Sequence, residues 1–269
     1  MTRWTAFAAL STVVLFLLLG LARLSQAQFS SATEPQARTA ERAPEAPAAL
    51  DGPSYHPALD HDPGLASPER SPVAAAEAEA SMSAGALLAN VALSQGVFGA
   101  MLVAAAVWAN VPLAAFGVGR VTTTHLAVGV GLGVLLWVAS EAAGRVAERF
   151  GVAVNERMRG ALAPDSVGGW VVLLTLVLPT VAVFEELLFR GVLVGAMATG
   201  FGLSPWLLAV GSSVAFAVGH GAQGRAGIVA TGVLGFVLAA AFVLTDSLTV
   251  VVVAHYLVNA LVFLVHERP

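Results

Sequence analysis

The chain has 269 residues, of which 57% are hydrophobic and only 11% are charged, and its mean hydropathy is +0.81. Because an ordinary soluble domain carries about 25% charged residues, this composition excludes a soluble globular enzyme and a wholly disordered chain. The net charge of −4 excludes the basic footprint of a nucleic-acid-binding protein. The apolar residues form long runs instead of short alternating strands, so the sequence predicts an all-α, polytopic helical membrane protein.

The first apolar run covers residues 4–22 and is followed by Arg23. One interpretation is a secretory signal peptide, with a small-residue cleavage site at Ser25-Gln26-Ala27. The run is longer than the usual apolar region of such a signal. We therefore predict that residues 1–24 form an N-terminal transmembrane helix that is not cleaved.

A segment of different composition follows, at residues 25–81. It holds 8 of the 13 prolines and 12 of the 30 charged residues, with a net charge of −6. Such a segment cannot bury enough apolar surface to offset the entropy lost on ordering, so we predict a disordered linker. We expect His56 and His61, which lie in it, to be solvated.

The remaining residues, 82–269, are predicted to form the transmembrane domain. Spanning about 30 Å of hydrocarbon takes roughly 20 apolar residues. Six runs approach that length, at about 84–108, 122–140, 168–197, 204–222, 226–245 and 248–265. Together with the first run, they predict about seven transmembrane helices. Gly129 and Gly133 form a GxxxG spacing, which lets two helices in a membrane approach closely.

The distribution of arginine predicts the orientation in the membrane. The segment 141–167 has the densest cluster of arginines between two apolar runs: Arg145, Arg149, Arg157 and Arg159. The positive-inside rule places this segment in the cytoplasm, and alternation then places the C-terminus there too. We expect an integral protein of the cell membrane with the linker inside. A cleaved signal peptide would invert every one of these assignments.

A few polar residues interrupt the apolar runs, and each is costly. An ionised side chain at the centre of a bilayer costs roughly 2.5–3.5 kcal/mol, which makes it a candidate for function. The candidates lie on three predicted helices: Glu185, Glu186 and Arg190 on one, His220 on the next, and His255 and Asn259 on the last. His125 and His266 lie near predicted helix ends, where we expect a structural or interfacial role.

Helical spacing sorts these side chains. Glu186 and Arg190 are four residues apart, so they share a face and can pair. Glu185 points about 100° away from Glu186, so the two carboxylates need not do the same job. A purely structural role, as a salt bridge with hydrogen-bonded core histidines, would explain the presence of any one of these residues. It explains less readily why all of them occur together on three helices.

The residue types suit the activation of water for hydrolysis of an acyl or peptide bond. A carboxylate in a dry site can act as a general base, and a histidine can orient the same water. A histidine and an asparagine amide can hold a developing oxyanion. One carboxylate and two imidazoles, from Glu185, His220 and His255, could instead bind a divalent metal such as Zn²⁺ with an open position.

The signatures of three other classes of intramembrane protease are missing. The chain has no His-Glu-x-x-His zinc pair, no Gly-x-Ser-Gly serine motif and no Gly-x-Gly-Asp motif. What is present resembles the CPBP family, which comprises the CAAX proteases and bacteriocin-processing proteins. Three stretches carry the resemblance in family order: Glu185-Glu186-Leu-Leu-Phe-Arg190, Phe216-Ala-Val-Gly-His220 and His255-Tyr-Leu-Val-Asn259.

The resemblance covers about residues 165–265 and implies a polytopic intramembrane endopeptidase. It implies that Glu185 and His220 activate the water, that His255 and Asn259 stabilise the oxyanion, and that Glu186 and Arg190 hold the site together. It leaves open whether a metal takes part. The implied partners are the lipid bilayer and a substrate that is a membrane protein or a lipidated peptide.

Two other functions fit the same residues. One is a non-proteolytic membrane scaffold or immunity-type protein built on the same fold. The other is a proton-coupled transporter that uses the glutamates and histidines. A transporter more often shows an internal repeat, and this sequence shows none.

Overall fold

A computed structural model of the chain describes residues 1–41, 83–151 and 157–267. These residues form eight helices and two short 3₁₀ turns, with no strand in the described ranges. The helices are α1 (Trp4–Glu41), α2 (Ala84–Trp108), α3 (Thr123–Arg149), α4 (Arg157–Leu162), α5 (Val167–Phe201), α6 (Pro205–Gly219), α7 (Gly224–Thr245) and α8 (Leu248–His266). The all-α, polytopic fold predicted from the composition is confirmed.

Six of these helices are long and apolar enough to cross a membrane: the part of α1 from Trp4 to Leu24, and α2, α3, α5, α7 and α8. The remaining apolar run, predicted at 204–222, forms the shorter helix α6. Its 15 residues reach only about 22 Å at a rise of 1.5 Å per residue. Among the described residues, six helices are therefore long enough to span a membrane by length and composition, and α6 is shorter than that.

The reason that α6 stops early lies in its sequence. Glycine is a poor helix former, and Gly219, Gly221 and Gly224 come within six residues of one another. Gly224 has a φ of +75°, a conformation that favours glycine. His220, which we expected to lie on the helix, follows its last residue with a φ of −98° and a ψ of 23°.

The described part of α1 runs beyond its predicted end. It continues to Glu41, and so enters the segment 25–81 that the composition predicts to be a linker. The rest of that segment, residues 42–81 with His56 and His61, lies outside the described residues. The linker and the division into three regions therefore stay predictions.

Helix α5 is the central element, because it contributes to all three hydrophobic clusters. The first cluster joins it to α1, α2 and α6 through side chains such as Phe7, Phe98 and Phe216. A second joins it to α3, α7 and α8, and a third to α2 and α8. The helix is not regularly α-helical: Leu173–Val177 and Leu187–Ala196 are π-helical.

The GxxxG pair on α3 is a helix-packing feature, as predicted. A Cβ atom on Gly129 would lie 2.9 Å from the carbonyl oxygen of Val250, and one on Gly133 would lie 2.9 Å from that of Ala254. Both carbonyls belong to α8. The absence of side chains at these two positions therefore fixes how closely α8 packs on α3.

The first residues of α1 pack into the bundle. The Arg3 N–H donates to the carbonyl of Ala109 at 2.9 Å, and the Arg3 guanidinium lies 4.8 Å from the ring centre of Trp108. Phe7 is fully buried and meets Phe116 edge to face at 5.7 Å. The start of α1 is thus part of the hydrophobic core.

Candidate active site

Glu186 and Arg190 form a buried ion pair on α5. The Arg190 Nη1 donates to Glu186 Oε1 at 2.7 Å, and both residues are 0% exposed. This is the pairing that the four-residue spacing predicts. A lone buried charge is costly, so the two groups make each other tolerable in an apolar bundle.

His255 joins this pair from α8. Its Nδ1 lies 2.6 Å from the same Glu186 Oε1, and because a carboxylate accepts, Nδ1 carries the proton. The other ring nitrogen, Nε2, faces Glu185 Oε2 at 3.7 Å. His255 is therefore clamped between the two glutamates, seven residues from the start of α8 and eleven from its end.

The two glutamates have different surroundings. Glu186 binds both Arg190 and His255 and is inaccessible, whereas the Glu185 side chain is 12% exposed. His255 is the one partner of Glu185 within ion-pair distance in the described residues. Glu186 is thus engaged by both of its partners, and Glu185 is the more accessible of the two carboxylates.

Helix α7 supports Arg190 although it carries none of the predicted site residues. The second terminal nitrogen, Nη2, donates to the carbonyl of Gly235 at 2.8 Å. A Cβ atom on Gly235 would lie 3.0 Å from the Phe216 ring and 3.5 Å from Arg190 Nη2. Glycine at this position therefore allows α7 to approach the site closely.

The ring of Phe216 is the apolar centre of the site. Its centroid is 4.8 Å from Arg190 Cζ, 4.5 Å from the His220 ring and 6.0 Å from the His255 ring. Phe216 belongs to the second of the three motifs, and its sequence position alone predicted no role for it. Its four-residue spacing from His220 was the available signal.

His220 is held by its own helix. Its Nδ1 lies 2.8 Å from the carbonyl oxygen of Phe216, so Nδ1 carries the proton and donates it. In the neutral ring, Nε2 then carries a lone pair. His220 reaches the polar cluster through contact with the Phe216 ring, and no hydrogen bond joins it to the two glutamates in the described part of the chain.

Asn259 lies one turn after His255 on α8 and is half-buried. Among the described residues, no hydrogen bond to its side chain is found, so its amide keeps its donors. The structure thus joins Glu185, Glu186, Arg190 and His255 directly. It places His220 beside them through Phe216, and Asn259 on the helix that carries His255.

The predicted metal ligands do not form a coordination set in this arrangement. Within the described residues, no group of three or more His, Asp or Glu side chains could hold a metal ion. His255 Nδ1 contacts Glu186 and His220 Nδ1 contacts a carbonyl, which is how metal-binding histidines are usually held, with Nε2 left for the metal. The three side chains therefore carry suitable donor atoms, but among the described residues they are not gathered into one coordination set.

The two histidines near helix ends, His125 and His266, make local contacts there. The backbone N–H of His125 donates to the Thr122 side chain at the start of α3. His266 Nε2 lies 2.7 Å from Glu141 Oε1, at the end of α8. Neither contacts the site.

The fold and the site together define a polytopic helical membrane protein with a buried carboxylate–histidine–arginine cluster contributed by α5 and α8 and supported by α6 and α7. Residues 167–261 match the Rce1-like family model, which is described as type II CAAX prenyl endopeptidase Rce1-like. The predicted resemblance to the CAAX protease family is confirmed over this part of the chain, which includes every residue of the three motifs. No curated protein and no solved structure matches the chain.

Proposed function

We propose that this protein is an intramembrane endopeptidase that hydrolyses peptide bonds of membrane-associated substrates with a water activated by Glu185 and His220. The observation that carries the proposal is the clamping of the His255 imidazole between two carboxylates, at 2.6 Å from Glu186 and 3.7 Å from Glu185. A purely structural salt bridge needs Glu186 and Arg190 alone. The match of residues 167–261 to an endopeptidase family supports the same reaction class.

The surroundings of each side chain support a division of roles. Glu185 is the general base, because it is partly accessible and has an oxygen that no hydrogen bond engages in the described residues. His220 assists through Nε2, since its Nδ1 proton is donated to Phe216. Glu186 and Arg190 hold His255 in place.

In the proposed reaction, Glu185 takes a proton from water while the water oxygen bonds to the carbonyl carbon of the substrate. The carbonyl π electrons move to its oxygen, and we assign the stabilisation of the resulting oxyanion to His255 and to the Asn259 amide, which donates a hydrogen bond to it. The proton held by Glu185 then passes to the leaving nitrogen as the C–N bond breaks. The products are a carboxylic acid and an amine.

The test is cleavage of a membrane substrate by the purified protein in detergent or liposomes, with Glu185→Ala as the paired variant. Membrane proteins and lipidated peptides are the substrates to try. We expect the wild type to cleave and the variant to be inactive. Equal cleavage by both would contradict the role of Glu185, and no cleavage by the wild type would favour the non-proteolytic scaffold.

We also propose that the reaction needs no metal. The support is that Glu185, His220 and His255 are not gathered into one coordination set among the described residues. Metal analysis of the purified wild type and of His220→Ala tests this. Stoichiometric zinc in the wild type and its loss in the variant would refute the metal-free reaction, whereas activity that survives a chelator would support it.

A further inference from the structure

His220 is carried by a turn and not by a helix. Helix α6 ends at Gly219, and the 3₁₀ turn Gly221–Gln223 follows His220 directly. The N–H of Gln223 donates to the carbonyl of His220 at 3.1 Å, which closes the turn. The bond from His220 to Phe216 orients the imidazole relative to α6, and the turn leads directly into α7, whose first residue is Gly224.

The side chain of Gln223 adds a second link, to a residue further along α7. Its Oε1 accepts a hydrogen bond from Thr231 Oγ1 of α7 at 2.6 Å. Gly227 lies between the two on α7, and a Cβ atom there would come within 2.3 Å of the Gln223 Cβ. The Gln223 side chain therefore lies against the bare backbone of α7 and ends on the Thr231 hydroxyl.

The same face of α7 also holds Arg190. Gly227, Thr231 and Gly235 are spaced by four residues and so follow one side of the helix. Thr231 binds the turn of His220, and the Gly235 carbonyl binds Arg190. One side of α7 thus fixes two parts of the site relative to each other, although α7 contributes no side chain to the proposed reaction.

We propose that Gln223 and Thr231 are positioning residues for His220: their hydrogen bond anchors the turn to α7 and so sets where the imidazole stands relative to Glu185. This inference rests on the proposed function. Both residues lie outside the three motifs, and neither contacts the polar cluster. Because a misplacement of about 1 Å in a catalytic group can lower the rate by about 100-fold, the anchor has a measurable effect on turnover.

The experiment replaces the hydroxyl by a methyl group in the full-length protein, as Thr231→Val. With a substrate that the wild type cleaves, we expect kcat to fall by about 10- to 100-fold while KM and the thermal midpoint in detergent stay close to those of the wild type. Thr231→Ser keeps the hydroxyl, and we expect it to restore most of the lost kcat. Thr245→Val is the matched control, because the Thr245 hydroxyl donates only to Ala241 of its own helix, at 2.7 Å.

Gln223→Ala removes the acceptor of the same hydrogen bond. It tests the anchor independently if Thr231→Val does not fold. We expect it to lower kcat to the same extent, and the double variant to be no worse than either single one, since all three lack the same bond. An additive double variant, or a wild-type kcat in both single variants, would overturn the anchor.

Carbethoxylation of His220 by diethyl pyrocarbonate, followed by mass spectrometry, gives a readout that does not need activity. A released turn exposes the imidazole, so we expect His220 to react several-fold faster in Thr231→Val than in the wild type, with His266 as the internal reference. An unchanged rate would refute the anchor even if the wild type cleaves. A wild type that cleaves nothing would instead overturn the proposed function, and with it any catalytic role for the anchor.

Discussion

Glu185 and Glu186 are neighbours in the chain, yet their side chains have different surroundings. Glu186 balances the buried Arg190 charge, whereas Glu185 is partly accessible and faces only His255 among the described residues. We therefore expect Glu185→Gln to abolish cleavage and to leave the free energy of unfolding nearly unchanged. Glu186→Gln leaves Arg190 uncompensated, and removing one partner of a buried pair costs about 3–5 kcal/mol.

The two variants are each other's control, because both change one carboxylate into an amide of the same size. Denaturation in detergent measures the stability, and peptide cleavage measures the activity. If Glu185→Gln were as unstable as Glu186→Gln, both glutamates would be structural, and the assignment of the base would be wrong.

At this scale, much of the site is predictable from helical spacing. The Glu186–Arg190 pair and the separate orientation of Glu185 follow from positions on one helix turn. The part that spacing could not give depends on tertiary packing. The bond from His255 Nδ1 to Glu186 joins residues 69 apart in the chain, and the central place of Phe216 follows from how α6 packs on α5 and α8.

Helix α3 shows how elements set the site from a distance. Gly133 packs against the carbonyl of Ala254, the residue before His255. Gly133→Ala forces α3 and α8 apart, and we expect it to cost about 1–3 kcal/mol of stability and to reduce activity. Gly131→Ala lies between the two packed glycines and meets nothing within 4 Å, so it should be neutral or stabilise the helix by up to about 1 kcal/mol.

Thermal unfolding of both variants in the same detergent makes the comparison. If both variants lost the same stability, an added methyl group on either face of α3 would be enough to cause the loss. In that case the close approach of α3 to α8 would not be what holds His255.

The helices themselves were largely predictable, because long apolar runs can take no other form in a bilayer. Hydropathy did not predict where α6 ends. A glycine does not interrupt an apolar run on a hydropathy scale, although the helix ends at Gly219. Hydropathy also did not predict the π-helical stretch Leu187–Ala196, because periodicity arguments assume 3.6 residues per turn throughout.

The whole molecule has a predicted direction in the membrane. If the start of α1 stays attached, as its packing through Arg3 and Phe7 favours, the arginine-rich segment 141–167 faces the cytoplasm. The chain has no cysteine, so single cysteines report without background. On intact cells we expect an impermeant thiol reagent to label Arg120→Cys, and to label Arg157→Cys only after the membrane is opened.

The opposite labelling pattern would contradict the orientation and would favour removal of residues 1–24 as a signal peptide. A protein that is shorter by these residues on mass analysis would establish the same conclusion independently. Intact mass together with outside labelling at position 157 would mean that the arginine rule itself fails for this chain.

The π-helical stretch of α5 has a consequence for how related sequences are compared. A π turn takes one residue more than the α turn it replaces, so the number of residues between Glu186 and the end of α5 is not tied to whole α-helical turns. A relative with one residue fewer there could keep both ends of the helix in place by forming a regular α-helix. A single gap inside this membrane span would then be a real evolutionary deletion, and an alignment that forbids gaps in transmembrane helices would misplace every residue that follows it.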